Sequence, residues 1–213
     1  MDTLELQNKI PIPTLQRLAT LYKVLREAEA KGETFLDSLE LETRTGTSAA
    51  QIRKDLSLVK LTGKPGVGYE VEPLRRQIAR FLKIDRTLPF ALVGVGNLGQ
   101  ALASYPGFGE YNFRLAAVFD NDPQKIGKTI NGFVIEDANA LPRRLRELKI
   151  RVVAITVPAP AAQGVVEAAI RGGARWILNF TPTHLKVPED CFVRDVSFTH
   201  EFAILAYFIN REK

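Results

Sequence analysis

The 213-residue sequence predicts an α/β protein in which a small helical domain precedes a domain built on a parallel sheet. Two observations support this fold class. Up to about residue 85, apolar residues recur at the three- and four-residue spacing of short helices. From Pro89 onward, short continuous apolar segments alternate with helical ones, which is typical of a sheet covered on both faces.

The first domain opens with two predicted helices. One begins at Pro13, which is favoured in a first turn, and ends at Gly32. The next covers about Asp37 to Arg44 and ends at Gly46.

The third predicted helix has two different faces. It opens with Ser48-Ala-Ala-Gln51, the pattern of a capping box. At about 100° per residue, Ile52, Leu56 and Val59 share the side that would face a core. The opposite side carries Ala50, Arg53, Lys54 and Ser57. Such a helix suits the major groove of DNA, although an ordinary surface helix is the alternative.

A basic hairpin is predicted next. Three glycines and a proline between residues 62 and 71 mark a tight turn, and Val67, Tyr69 and Val71 alternate like strand residues. Three helices followed by such a hairpin form the plan of a winged helix-turn-helix, with Lys64 at the hairpin tip. A further helix is expected from Pro73 to about Lys83.

Positive charge is concentrated in this part of the chain. Residues 51–83 contain eight Lys and Arg against three acidic residues, which equals the entire net charge of +5. Such concentration is typical of a nucleic-acid surface, and a solvated basic face without a partner is the alternative.

The second domain contains four predicted strands and a helix. The strands are Phe90–Val93, Arg114–Phe119, Val152–Val157 and Trp176–Asn179, and the helix is Ala159–Ile170. A last segment, Ser197–Arg211, is apolar on most sides. A helix of this kind must be buried, and a chain terminus often achieves this against another subunit.

The glycine motif after the first of these strands predicts a Rossmann domain that binds NAD(H). Its residues are Gly94, Val95, Gly96, Asn97, Leu98 and Gly99, and they open a predicted helix. Asp120 ends the next strand, 21 residues after Gly99, where it can accept hydrogen bonds from ribose hydroxyls. Gly94 would allow the tight turn, Gly96 the approach of a pyrophosphate, and Gly99 close packing of helix on strand.

The acidic residue also favours NAD(H) over NADP(H). Asp120 would repel a 2′-phosphate, and Asn121 and Asp122 offer no arginine to receive one. The alternatives are a turn that binds nothing and a domain for another nucleotide, such as CoA or FAD.

Catalytic, metal and membrane functions find little support. Hydride transfer usually needs a proton donor, and the two histidines, His184 and His200, lie in a loop and in the terminal helix. Cys191 is the single cysteine, which excludes an internal disulfide and disfavours a zinc site. No apolar run approaches the roughly 20 residues of a membrane span, and the N-terminus lacks a signal-peptide pattern. We therefore expect a cytoplasmic, non-enzymatic protein without a metal.

Eight short sequence segments together are characteristic of a known family. They are Gln51–Ser57, Gly66–Tyr69, Gly94–Gly99, Tyr105–Glu110, Phe119–Asp120, Thr156–Pro158, Ala161–Gln163 and Ile177–Pro182. With these segments the chain resembles the Rex family of redox-sensing transcriptional repressors, from about Pro13 to Ile209.

The resemblance implies a homodimer that binds double-stranded operator DNA and releases it when NADH binds, while NAD⁺ competes weakly. It implies a winged-helix DNA-binding domain in residues 1–85, a Rossmann NAD(H)-binding domain in 86–196 and a domain-swapped dimerisation helix in 197–213. Such a protein senses the cellular NADH/NAD⁺ ratio.

The resemblance also implies site residues. Those at DNA would be Ser48, Gln51, Arg53, Lys54, Ser57, Lys60, Lys64 and Tyr69. Those at the nucleotide would be Gly94, Val95, Gly96, Asn97, Leu98, Gly99, Asp120, Thr156, Val157, Pro158, Asn179, Tyr105 and Phe198. Tyr105 and Phe198 would wall the nicotinamide, one of them from the partner subunit.

Two departures from the family pattern stand out. Leu58-Val59-Lys60 replaces a common Tyr-Phe-Gly segment, so the hairpin contacts are expected to differ. Lys23 and Ser197 replace an Arg and an Asp that pair in one dimer state, so that ion pair is absent. Two other functions remain open: a small NAD-dependent oxidoreductase with a helical appendage, and a DNA-binding module whose Rossmann domain is structural or binds CoA.

Overall fold

The computed structural model describes residues 10–61 and 68–209, which form two compact units that divide between Arg86 and Thr87. The first unit contains helices α1 (Ile12–Ala30), α2 (Ser38–Thr45), α3 (Ala49–Leu58) and α4 (Val71–Phe81). Its two short strands, β1 (Phe35–Leu36) and β2 (Tyr69–Glu70), pair antiparallel.

The ends of these helices follow from local sequence. Pro13 stands in the first turn of α1, where its missing N–H costs nothing. Gly32 and Gly46 follow α1 and α2 with φ of 77° and 67°, a backbone conformation that glycine adopts easily.

The predicted capping box at α3 is only half present. The Ser48 hydroxyl accepts a hydrogen bond from the Gln51 N–H, but the Gln51 side chain donates to Asp55 at 2.9 Å. A buried carboxylate is a strong acceptor, and it draws the amide towards the next turn. The reciprocal box lies in α2, between Asp37 and Glu40.

The strand pattern predicted around Tyr69 is wrong at one end. Val71 is fully buried as the first residue of α4 rather than the last of a strand. Pro73 explains this, since it is tolerated in a first helical turn but removes a donor from a strand. Val67 and Lys64 lie outside the described residues.

The second unit is built on a seven-stranded sheet. Its strands are β3 (Leu88–Val93), β4 (Phe113–Asp120), β5 (Thr129–Ile130), β6 (Phe133–Asp137), β7 (Val152–Ile155), β8 (Trp176–Asn179) and β9 (Phe192–Asp195). The order is β5-β6-β4-β3-β7-β8-β9, with only β5 antiparallel to its neighbour. The helices are α5 (Asn97–Ala103), α6 (Leu141–Glu147), α7 (Ala159–Arg171) and α8 (Phe198–Ile209).

This topology confirms the Rossmann-like parallel sheet. The chain leaves β3 towards β4 on one side and later returns to β7 on the other. In open α/β sheets, ligands bind at the carboxyl ends of the strands where the order reverses in this way. Alternate β3 residues enter two different cores, Ala91 and Val93 in one and Phe90 and Leu92 in the other, so the strand is apolar throughout.

The terminal helix α8 was expected to be buried, but within the single chain it is exposed. Phe202 and Ile209 leave 72% and 69% of their surfaces accessible, and no residue of α8 is buried. Much of its apolar surface is therefore open to solvent in the single chain.

Candidate functional site

The glycine turn after β3 has the geometry that the sequence predicts. Gly94 has φ of +100°, and a Cβ there would lie 2.9 Å from the Thr156 carbonyl group. A Cβ at Gly99 would stand 1.9 Å from the Gly94 carbonyl oxygen. No atom lies within 4 Å of a Cβ built on Gly96, which caps α5 and is exposed. Two glycines therefore permit close packing, and the third leaves open space.

Asp120 fastens this turn to the end of β4. Its Oδ2 accepts a hydrogen bond from the Val95 N–H at 2.7 Å, and its Oδ1 accepts one from the Asp122 N–H at 2.9 Å. The Lys125 ammonium lies 3.2 Å from Oδ2. Burial alone would raise the pKa of Asp120, but hydrogen bonds from the Asp122 and Val95 amides and from Lys125 outweigh it, so the pKa is lowered. The carboxylate is ionised at neutral pH and supports the turn, a role that sequence reasoning missed.

Besides the glycine turn after β3 and Asp120 at the end of β4, the site includes the residues that follow β7. The Thr156 N–H donates to the Val93 carbonyl at 2.9 Å, and its hydroxyl donates to the Gly94 carbonyl at 2.8 Å. Val157 and Pro158 follow directly, and Pro158 precedes the first turn of α7. The carboxyl ends of β3, β4 and β7 thus bring together the glycine turn, Asp120 and residues 156–158.

Asn179 has a different environment. Its side chain is fully buried and donates to the Thr183 carbonyl at 2.9 Å and to Asp195 at 2.7 Å. Its oxygen accepts from both the N–H and the hydroxyl of Thr181. Both polar atoms of the side chain are therefore engaged, by the loop after β8 and by Asp195 at the end of β9, so Asn179 joins this loop to β9 rather than presenting a group to a ligand.

The two aromatic side chains expected at the nicotinamide, Tyr105 and Phe198, are exposed. Tyr105 is 59% accessible, and its ring covers Gly107, where a Cβ would lie 2.4 Å from the ring. Phe108 meets this ring edge-on, with centroids 5.4 Å apart. Phe198, the first residue of α8, is 57% accessible. Both rings are available for contacts beyond their own chain.

Helix α3 presents the two faces predicted for it. Ile52 and Leu56 are buried, whereas Arg53, Lys54 and Ser57 are exposed. Ser48, at the start of the helix, and Lys60, just after it, are also exposed. Tyr69 is 6% accessible and packs inside the unit, so we drop it from the residues expected at DNA.

A partly buried ion pair behind α3 was not predicted from the sequence. Asp55 is 3% accessible, and the Arg17 guanidinium of α1 donates to both its oxygens, at 2.5 and 2.8 Å. Thr14 and Gln51 donate to it as well. Burial alone would raise the pKa of Asp55, but the hydrogen bonds from Arg17 and Gln51 dominate and lower it. The sequence contained an indication of this burial, because Asp55 falls on the same face of the predicted helix as the apolar residue Ile52.

Lys23 and Ser197, the two positions that depart from the family pattern, lie on α1 and just before α8. Lys23 is exposed on α1. The Ser197 hydroxyl accepts a hydrogen bond from the His200 N–H at 3.3 Å, at the start of α8. Among residues 10–61 and 68–209, no group of His, Cys, Asp and Glu could hold a metal, and no helix is long and apolar enough to cross a membrane.

Comparisons with known proteins cover both units. A family model described as "CoA binding domain" matches residues 85–183, and one described as "Putative DNA-binding protein N-terminus" matches residues 9–57. The redox-sensing transcriptional repressor Rex of Thermus thermophilus is 39% identical over 205 residues, which cover 96% of each chain. The structure of RSP, a Rex-family repressor, with β-NAD⁺ and operator DNA matches with a TM-score of 0.88 at 30% identity, over 95% of this chain and 94% of that one. RSP with β-NADH matches with a TM-score of 0.83 at 30% identity, over 96% of each chain.

Proposed function

Because this chain belongs to the Rex family of redox-sensing transcriptional repressors, we propose that it represses transcription by binding operator DNA and releases the DNA when NADH accumulates. The observation that carries the proposal is the presence, in one chain, of a cationic α3 face and of a glycine turn held by Asp120. Full-length similarity to Rex proteins supports joining the two in one function.

The proposed DNA contacts lie on the exposed face of α3. Arg53, Lys54 and Ser57 face the major groove, where Arg and Lys read guanine edges or contact phosphates. Ser48 and Lys60 contact the DNA backbone at the two ends of the helix. Lys64, which lies outside the described residues, is expected to contact it as well. Gln51 acts indirectly, by its bond to Asp55.

The proposed nucleotide site lies at the carboxyl ends of β3, β4 and β7. The pyrophosphate lies over the turn from Gly94 to Gly99, at the start of α5, whose first N–H groups have no side-chain cap. A carboxylate offers about four acceptor positions, and three of those on Asp120 are occupied, so one remains for a ribose hydroxyl. Residues 156–158 line the opposite side.

Discrimination between the two redox states is proposed to occur at the nicotinamide. Tyr105 and Phe198 form an aromatic slot, one of them contributed by the partner subunit. The ring of NADH is uncharged, whereas that of NAD⁺ is cationic, and burying an unpaired cation costs several kcal/mol. The slot therefore prefers NADH.

The functional unit is proposed to be a homodimer held by α8. Seven large apolar residues of this short helix are exposed in the single chain: Phe198, Phe202, Ile204, Leu205, Tyr207, Phe208 and Ile209. An apolar surface of this extent is typical of a subunit interface. Exchange of α8 between two chains would bury it and bring Phe198 to the partner.

The proposed switch is a change of dimer shape. NADH can release DNA only if it binds more tightly to a dimer whose two α3 helices no longer fit adjacent major grooves. We assign no catalytic residue and place the protein in the cytoplasm, where operator DNA and NADH meet in a bacterial cell.

The decisive experiment is fluorescence anisotropy of a labelled duplex that contains the upstream region of the gene for this protein or the operator bound by RSP. Protein is titrated at fixed salt, and NADH, NAD⁺ or CoA is then added. We expect NADH to release the DNA at concentrations where NAD⁺ does not. Binding that ignores NADH would refute the sensor, and turnover of NADH with small carbonyl compounds would favour an oxidoreductase.

A CoA site is the second candidate, because the family model that matches the second unit is named for CoA. The diphosphate of CoA could occupy the same glycine turn. Calorimetric titration separates the two, since a CoA site would bind CoA more tightly than NADH.

A further inference from the structure

Three charged side chains meet at the end of β4. The Lys125 ammonium lies 3.2 Å from Asp120 Oδ2 and 3.8 Å from Asp122 Oδ2. The Lys125 and Asp122 side chains are 35% and 38% accessible, whereas that of Asp120 is 6% accessible. One ammonium between two carboxylates leaves a net charge of −1 at this corner.

The two carboxylates differ in what they hold. Both oxygens of Asp120 accept backbone N–H groups, so its replacement would release the glycine turn. Within residues 10–61 and 68–209, the Asp122 side chain accepts one backbone hydrogen bond, from the Gln124 N–H to Oδ1 at 2.9 Å. An amide oxygen could accept that bond equally well, so the charge of Asp122 is not needed for its turn.

We propose that Asp122 and Lys125 together decide whether the site accepts a nucleotide with a 2′-phosphate on its adenosine ribose, an inference that rests on the proposed placement of this ribose at Asp120. In Rossmann domains the residues that follow this strand face the 2′ position, and a cation there receives a 2′-phosphate. Lys125 is such a cation, but Asp122 offsets its charge and adds repulsion. Exclusion of the phosphate therefore depends on Asp122 as well as on Asp120.

The test compares the dissociation constants of NADH and NADPH by isothermal titration calorimetry. Asp122→Asn keeps the acceptor for Gln124 and removes the charge. We expect its affinity for NADPH to rise about tenfold and its affinity for NADH to change less than about twofold, because charge-assisted bonds to phosphate are strong. The gain should shrink at high salt, since the groups are partly exposed.

Two further variants test whether the gain in NADPH affinity depends on Lys125 and on the position of the removed carboxylate. Adding Lys125→Gln to Asp122→Asn should abolish the gain, since the phosphate loses its cation. Asp190→Asn is the control. Asp190 is a surface carboxylate that also pairs with a cation, Arg175, but it lies 68 residues after Asp122 in the sequence. This variant should leave the affinities for NADH and NADPH unchanged.

Each remaining outcome overturns the inference. An unchanged NADPH affinity in Asp122→Asn, an equal gain in Asp190→Asn, or a gain that survives Lys125→Gln would refute it while leaving the proposed NADH site intact. A wild-type protein that binds neither nucleotide would refute the proposed function together with this inference.

Discussion

Replacement of Gly99 by alanine tests the packing of the glycine turn most directly. Alanine is favoured over glycine inside a helix by up to about 1 kcal/mol, so propensity alone predicts a more stable protein. A Cβ at this position, however, would stand 1.9 Å from the Gly94 carbonyl oxygen and 3.0 Å from the Thr156 hydroxyl. Helix α5 or the turn would have to move by more than about 1 Å to restore an ordinary contact.

Overpacking costs about 1–3 kcal/mol, and an approach of 1.9 Å to a backbone oxygen belongs in the upper part of this range, so the cost exceeds the gain in propensity. We expect Gly99→Ala to destabilise the second unit by about 1–2 kcal/mol and to weaken NADH binding more than about tenfold, because the displaced turn no longer fits a pyrophosphate. The assays are urea unfolding and calorimetric titration. Trp176, the single tryptophan, lies on β8 and reports on this unit by its fluorescence.

Gly164→Ala provides a matched control. Gly164 lies in α7 of the same unit, and no atom is found within 4 Å of its built Cβ. This variant should gain about 0.4–1 kcal/mol and bind NADH normally. If Gly99→Ala is as stable as Gly164→Ala and binds NADH equally well, the steric argument fails.

Four more predictions concern both units. Asp55→Ala leaves the Arg17 guanidinium without its partner and should cost the first unit about 2 kcal/mol, less than for a fully buried pair because the Arg17 side chain is 31% accessible. The measurement is circular dichroism during urea unfolding, and a loss under about 1 kcal/mol would contradict a stabilising role of the pair. The pKa of Asp55 is lowered, so its stabilisation is present above the ordinary aspartate pKa of about 3.9 and is lost as the pH falls through the lower folded value. In Asp55→Ala, the free energy of unfolding should therefore fall less steeply as the pH is lowered through this range. An unchanged pH dependence would mean that other groups cause the acid sensitivity. Lys54→Ala should weaken DNA binding at every sequence and lower the slope of log affinity against log salt by about one, whereas a sequence-dependent loss would indicate base contact instead. Phe202→Glu in α8 should convert a dimer to a monomer in sedimentation equilibrium, and a dimer that persists would place the interface elsewhere.

The sequence was most informative where a local rule determines the structure. The strand from Trp176 to Asn179 was predicted with its observed bounds, and β3 and β4 were each predicted within two residues at either end, because strands covered on both faces are continuously apolar. Strands β5, β6 and β9 were not predicted. They lie at the sheet margins, where charged residues that are at least partly accessible, such as Asp137 and Arg194, interrupt the apolar pattern.

The candidate site shows the same division. The roles of Gly94 and Gly99 were predictable, since a glycine motif between strand and helix constrains its own backbone. The second role of Asp120 was not, because it depends on the Val95 N–H, 25 residues away in sequence. The ion pair between Arg17 and Asp55 joins residues 38 apart, so only the folded helices bring them together.

The bridge from Asp120 to the Val95 amide has a thermodynamic consequence for ligand binding. A flexible turn would have to lose conformational entropy each time a dinucleotide bound, and that loss would be subtracted from the observed affinity. Here the turn is already ordered by the protein's own carboxylate. More of the intrinsic binding free energy is then available to shift the population between two arrangements of the protein, which is the work required of a ligand-operated regulator.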